Sequence, residues 1–340
     1  MFKNNLNFIT TYIKLMENQI ALRSLGKTGL VVSSIGLGCW QFSKQANLAG
    51  RFWPNLEEAL IDRIVGISLE GGINWFDTAE VYGNGASEKE LAHALRLAGK
   101  APGSVIIATK WWPLMRTAGS ITRTIDLRLK ALDPFPIDLY QVHQPYGFSG
   151  EKAEMEAMAI LVREKKIRYV GVSNFSASRM RSAWEVLQKH GIQLVSNQVS
   201  YSLLNRSIES NGVLQTAREL GIAIIAYSPL AQGMVTGKFH DNPELLRKTG
   251  MRKWTPLFHR SGLEKSRPVV EMVRKIAEKY GATPSQVALN WIVCHHGDTV
   301  VAIPGSTSGS QAEENTGAMD FTLLEEDLAL LDKASTPFMR

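Results

Sequence analysis

From residue 22 onward, short apolar runs alternate with longer stretches of helical periodicity. The runs are IGLG (35–38), INWF (73–76), VIIAT (105–109), IDLYQV (137–142), RYVGVS (168–173), QLVSNQ (193–198), AIIAYS (223–228) and TVVAIP (299–304). They are nearly continuous in apolar residues, as strands are when both faces are covered. Between them lie helical patterns. Residues 56–71, for example, place Leu60, Ile61, Ile64, Val65, Ile67 and Leu69 along one face. Ser87 with Glu90 three residues on reads as a capping box. Upstream, LRSL and LVVS flank Gly26-Lys27-Thr28-Gly29, the signature of a hairpin.

Eight strands, each followed by a helical stretch, fit either a (β/α)₈ barrel or a doubly wound sheet. A doubly wound dinucleotide fold places a glycine fingerprint after its first strand, opening directly into a helix. Here the first strand runs into GLGCWQFS, with no third glycine. The pattern therefore predicts an α/β chain folded as a (β/α)₈ TIM barrel, with an N-terminal β-hairpin and a C-terminal helix. No composition break divides residues 21–340, which read as one domain. Residues 1–20 differ from the rest. They carry Lys3 and Lys14, their apolar run is broken by Asn and Thr, and they fit neither a signal nor a transit peptide. They read as a disordered extension, with Met16 as an alternative start.

Composition narrows the class. The 340 residues are 44% hydrophobic and 21% charged, with a formal net charge of +6. No apolar window is long enough to span a membrane. The positive charge is modest and dispersed, without zinc-finger spacing or an aromatic-basic RNA signature, which argues against nucleic acid. Two cysteines, Cys39 and Cys294, are too few for a disulfide framework and fit no metal spacing, so the expectation is a reducing, cytoplasmic setting and no metal.

The working face of a parallel barrel lies at the carboxyl ends of its strands. INWF is followed by Asp77, VIIAT by Lys110 and IDLYQV by His143, and both intervals are 33 residues. That is about one βα unit, so the three side chains are expected to converge. Tyr82, five residues past Asp77, sits on a loop that can fold back over the same spot. A phenol is a weak acid with a reference pKa of about 10. A neighbouring ammonium lowers that value and a carboxylate holds the ammonium in place, while a histidine can bond the substrate oxygen. Together the four suit proton donation to a carbonyl as hydride arrives. Singly, the Asp–Lys pair would be a structural ion pair and the tyrosine and histidine ordinary packing or hydrogen-bonding residues.

At these residues the sequence resembles the aldo-keto reductase family. GGINWFDTAEVYGNG, ATK, DLYQVHQP, VGVSNFS, SNQVSYS, IIAYSPLAQG and IPGSTSGSQAEEN are similar to family blocks, in family order, from about Leu22 to about Ala334. The resemblance implies an NAD(P)H-dependent oxidoreductase acting on a small-molecule carbonyl or alcohol. In it Tyr82 is the proton donor, Lys110 and Asp77 tune it, and His143 orients the carbonyl. It also implies that Ser173, Asn174 and Gln198 hold the carboxamide and that Tyr227 stacks on the nicotinamide. Ser228, Leu230 and Gly233 would follow the pyrophosphate, while Gly305, Thr307, Gln311 and Asn315 would hold the adenosine half. Trp40 would wall the substrate pocket.

Many relatives that prefer NADPH carry Lys or Arg just after the IPG run. Here Ser306-Thr307-Ser308-Gly309-Ser310-Gln311 holds none. NADP(H) is the first expectation and NAD(H) its rival. Trp111 is taken as a second pocket residue, although either Trp111 or Trp112 can line a pocket or cover the barrel mouth. Cys39 reads as a small filler and Cys294-His295-His296 as a surface cluster far from the site. Residues 239–267 read as a long loop, with seven basic residues (Arg247, Lys248, Arg252, Lys253, Arg260, Lys265, Arg267) against Asp241, Glu244 and Glu264. It is either a solvated flap or a lid for an anion. Function stays open between a reductase, a sugar or pyridoxal-type dehydrogenase running oxidatively, and a non-catalytic, cofactor-sensing regulatory subunit of the same fold.

Overall fold

The structure is a computed structural model that describes residues 22–44, 52–248 and 255–340. The expectations for residues 1–20, and for Arg252 and Lys253, lie outside the described residues.

Alternating side chains sort the strands into two packed layers. Strands β3 (Leu37–Gly38), β4 (Trp75–Asp77), β5 (Ile106–Trp111), β6 (Leu139–Val142), β7 (Tyr169–Ser173), β8 (Leu194–Ser200), β9 (Ala223–Tyr227) and β10 (Val300–Ala302) pair in chain order, all parallel. Parallel bridges Ile35↔Ala302 and Gly38↔Gly305 close the barrel between the first and last of them. Trp75, Ala108, Leu139, Val195, Ile225 and Val301 form an inner cluster without helical residues. Their chain neighbours Phe76, Ile107, Tyr140, Ile224 and Val300 belong to the outer cluster with the helices. This is the period of two written in space. The hairpin of β1 (Leu22–Ser24) and β2 (Val31–Ser33) adds Leu25, Leu30 and Val32 to the inner cluster, so it plugs one end of the barrel.

The outer layer holds α1 (Glu58–Glu70), α2 (Ala86–Leu97), α3 (Gly119–Leu132), α4 (Glu151–Arg163), α5 (Ala177–Lys189) and α6 (Val213–Leu220). It continues with α7 (Lys238–Asp241), α8 (Arg260–Tyr280), α9 (Pro284–Cys294), α10 (Gly309–Gly317) and the C-terminal α11 (Glu325–Ser335).

Three local expectations are corrected. Helix α2 begins at Ala86 behind a left-handed Gly85, one residue before the expected cap. The Ser87 hydroxyl therefore does not cap; it donates to the Cys39 carbonyl at 2.6 Å and lies 2.8 Å from the Thr78 hydroxyl, fastening α2 to two strand ends. The segment 239–267 is not one loop. It contains α7, turns at Pro243–Lys248 and Pro256–Phe258, and the first two turns of α8. Gly262 and Pro268 disguise that helical start in the sequence, but Leu263, Ser266, Val269 and Val270 are buried along one face.

The third correction concerns Cys294-His295-His296, which is half-buried rather than on the surface. His295 stacks on Trp291, and both histidines lie against carboxylates of Asp332 and Glu209. The guanidinium of the buried Arg206 bonds the same two carboxylates at 2.5–2.6 Å and supplies the cation there.

Candidate active site

Four strand ends and one loop build the site. Inward-facing positions of β4 and β5 carry Asp77 and Lys110, both buried. The Lys110 ammonium donates to Asp77 Oδ1 and, at 2.8 Å, to the Thr78 carbonyl. Its third neighbour is the Tyr82 hydroxyl at 3.5 Å. Asp77 Oδ2 accepts from Gln141 Nε2 at 3.1 Å and from Gln198 Nε2 at 2.9 Å. A buried carboxylate needs such partners to remain charged.

The loop after Asp77 returns Tyr82 over the lysine. Gly83 makes this possible: its φ is +67° and a Cβ there would lie 2.1 Å from the Ser43 carbonyl oxygen, leaving room for no other residue. His143, directly past β6, sets its ring edge-on to Tyr82 with centroids 5.6 Å apart. The four expected side chains therefore meet at one end of one cavity, lined among others by Asp77, Tyr82 and His143.

Electrostatics refine the expectation for Tyr82. Burial raises its pKa; the Lys110 charge pulls the other way and Asp77 adds to the rise, so the net shift is upward. The lysine lowers the phenol pKa, as anticipated, but burial outweighs it. Lys110 itself is raised: burial disfavours its ammonium, and Asp77 and Tyr82 more than compensate. His143 is held well below the ordinary histidine value by burial and by repulsion from Lys110. At neutral pH the site thus holds a protonated phenol, an ammonium and a neutral imidazole whose Nδ1 has no hydrogen-bond partner among the described residues.

The cavity is about 890 Å³ and extends from this end to the start of α10. Ser173, Asn174, Gln198, Tyr227, Ser228, Leu230, Gly233, Gly305, Thr307, Gln311 and Asn315 all line it. Several are pre-set by one another. Ser173 donates to the Gln198 carbonyl at 2.9 Å, Asn174 Nδ2 to Ser173 Oγ at 3.1 Å, and Tyr227 OH to Asn174 Oδ1 at 3.1 Å. Because Gln198 spends an amide hydrogen on Asp77, only its other groups remain for a ligand. Thr307 donates both its N–H and its hydroxyl to Gln311 Oε1.

Trp40 lines the cavity, stacked on Phe52 at 4.8 Å and on Tyr82 at 5.9 Å. Trp111 does not line it. With Lys110 facing inward, the next residue of the strand faces the helices: Trp111 is fully buried in the outer cluster and donates to Ser120 Oγ at 3.0 Å. The wall is Trp112, edge-on to His143 with centroids 5.1 Å apart.

Sequence reasoning missed several lining residues, among them Gln41, Lys238 and Glu314. Gln41 is buried, and its Oε1 has no hydrogen-bond partner among the described residues. Lys238 and Glu314 carry charge at the wall. The one available signal was position: Lys238 lies five residues past Gly233, within the run that leaves β9.

Comparison with known proteins agrees with this arrangement. Residues 34–336 match the model of the aldo/keto reductase family. The chain is 36% identical over 309 residues to an uncharacterized oxidoreductase of Mycobacterium bovis, covering 90% of each. It is 32% identical over 346 residues to the chloroplastic pyridoxal reductase of Arabidopsis thaliana, covering 98% of this chain and 91% of that one. Among solved structures, it is similar to an aldo/keto reductase from Klebsiella pneumoniae in complex with NADP and acetate. The TM-score is 0.70, with 26% identity over 92% of this chain and 94% of that one.

Proposed function

The chain belongs to the aldo/keto reductase family of oxidoreductases, and from that premise we propose that it transfers hydride between NADP(H) and the carbonyl or alcohol carbon of a small aldehyde, ketone or sugar-like substrate. Residues 21–340 form the one catalytic domain. The observation that carries the reading is the convergence of Asp77, Tyr82, Lys110 and His143 at the end of a cavity walled by Trp40 and Trp112.

A nicotinamide dinucleotide fits the cavity. The volume falls in the range of ligand pockets, about 300–1,000 Å³. Gln41 lines the cavity, and Lys238 brings a cation suited to phosphate. When bound, the cofactor supplies the hydride. Ser173, Asn174 and Gln198 would hold its carboxamide and Tyr227 its ring. Ser228, Leu230 and Gly233 would follow the pyrophosphate, and Gly305 through Asn315 the adenosine half.

The chain's own residues handle the proton. Tyr82, kept neutral by burial, donates its phenolic proton to the carbonyl oxygen. The ammonium of Lys110 then stabilises the phenolate, and Asp77, held by Gln141 and Gln198, keeps that ammonium charged and in place. Neutral His143 donates one ring N–H to the same oxygen and carries no proton away. Aromatic walls exclude water and strengthen these interactions. The test is consumption of NADPH with a panel of aldehydes. A cofactor-loaded protein that neither reduces any of them nor oxidises alcohols and sugars with NADP is instead the regulatory subunit.

Cofactor preference is expected to be weak. Among the described residues Lys238 is the one lysine or arginine lining the cavity, and the Thr307 donors are already engaged. NADPH is expected to bind about tenfold to a hundredfold more tightly than NADH, roughly 1.4–2.8 kcal/mol. Thr307→Arg should strengthen NADPH binding and leave NADH nearly unchanged. Dissociation constants of both cofactors at one salt concentration decide it, and a preference for NADH, or one for NADPH above about 10⁴, overturns the expectation.

A further inference from the structure

Behind the Trp112 wall lies a partly buried ion network that takes no part in proton transfer. Glu80 sits two residues before Tyr82 and is buried. Its Oε1 accepts the backbone N–H of Trp112 at 2.5 Å and Nη1 of Arg116 at 2.5 Å. The same Nη1 donates to the Trp112 carbonyl at 3.1 Å. Both backbone polar groups of Trp112 are thus taken by the two members of one ion pair.

Every nitrogen of the Arg116 guanidinium is used. Nε donates to Ser120 Oγ at 3.0 Å and Nη2 to Thr124 Oγ1 at 2.8 Å, both on α3. From the same helix, Arg128 Nη1 donates to Glu80 Oε2 at 2.6 Å. Arg128 also pairs with Glu88 of α2 at 2.7 Å, and Glu88 Oε1 accepts from Thr109, the residue before Lys110, at 2.6 Å. The network spans the Tyr82 loop, the end of β5 and helices α2 and α3. A planar guanidinium with five fixed donors holds such an arrangement, whereas a lysine ammonium does not.

We propose that the Glu80–Arg116 pair is a specificity-determining clamp: it fixes the Trp112 residue, and through it the wall against which a ring-bearing carbonyl substrate lies. The proposal rests on the reading of this cavity as a carbonyl-reducing site. Arg116 touches neither the cavity nor the four reacting side chains, so it is a positioning residue. Trp112, between His143 and Tyr146, is the part of the wall it controls.

Arg116→Met separates the clamp from the chemistry. Exchange of the Trp112 amide hydrogen, read by mass spectrometry or NMR, should quicken by at least about tenfold, because its acceptor Glu80 keeps only Arg128 of its two guanidinium partners and the Trp112 carbonyl loses its donor. The KM for benzaldehyde should rise by about tenfold, equivalent to roughly 1.4 kcal/mol. The KM for propanal, too small to use the wall, should stay within about twofold, and kcat for both within about threefold. Arg116→Lys, which keeps the charge and loses the fork, should fall between parent and Met variant, and it carries the test if Arg116→Met does not fold.

Two results overturn the clamp while leaving the carbonyl-reducing reading intact. One is an unchanged benzaldehyde KM in a protein that turns over. The other is an equal loss of kcat for both aldehydes without a change of KM, the mark of a merely structural pair. If the parent reduces no carbonyl at all, the reading itself fails and the clamp's role in specificity falls with it.

Discussion

Tyr82→Phe is expected to lower carbonyl reduction by at least about 10²-fold, the lower range for removing a general acid, while cofactor affinity stays close to the parent's. The substitution deletes one hydroxyl and little volume. The ring keeps its stack on Trp40, and the Lys110–Asp77 pair keeps its other bonds. What disappears is the proton source 3.5 Å from the ammonium. The sign of the pH dependence follows from the upward pKa shift. Reduction needs the protonated phenol, so the parent's rate should be level through neutral pH and fall only on the alkaline side. Oxidation of an alcohol needs the phenolate and should rise toward alkali. His143, held below its ordinary range, should add no acid limb near neutrality. Steady-state kinetics of both directions across pH check this, and near-parental turnover by the Phe variant would sink the mechanism.

Lys110→Met is expected to damage both chemistry and fold. The ammonium is the main influence pulling the Tyr82 pKa down. Without it the phenol becomes a still weaker acid, and the phenolate formed during reduction loses its counter-charge. Reduction should fall by at least about 10²-fold, and its alkaline limb should move to higher pH. Breaking a buried pair leaves the Asp77 carboxylate with only the amides of Gln141 and Gln198, at a cost of about 3–5 kcal/mol of stability. In the parent, a raised lysine contributes its stability fully below the unfolded lysine pKa and loses it as pH rises through the folded value, so this term is present at neutral pH. Urea unfolding beside the pH–rate profile separates the two effects. A variant matching the parent in rate and pH profile would reduce Lys110 to a structural partner.

Much of the site was legible because a barrel repeats. Asp77, Lys110 and His143 recur at the length of one βα unit, and the repeat alone brings them to equivalent strand ends. The hairpin was legible from its Gly26–Gly29 turn. Trp111 shows the limit of such reading. Its neighbour Trp112 has the same chemistry, and only the register of β5, which points Lys110 inward, decides which indole reaches the cavity. Ser87 was misplaced for a related reason: a left-handed Gly85 caps the helix two residues early, and the freed hydroxyl then serves two strand ends.

The sequence by itself determined the eight apolar strand runs in their order along the chain, the helical stretches between them, and the strand-end polar residues. These depend on local pattern, and local pattern is carried residue by residue along the chain. The tertiary structure alone decided the balance of charge. The Tyr82 pKa moves up rather than down because burial outweighs a neighbouring ammonium, and burial comes from segments distant in sequence. Lys238, Gln41 and Glu314 joined one cavity for the same reason. So did the Glu80–Arg116 pair: its members are 36 residues apart, and neither signals the other until β4 and β5 lie side by side.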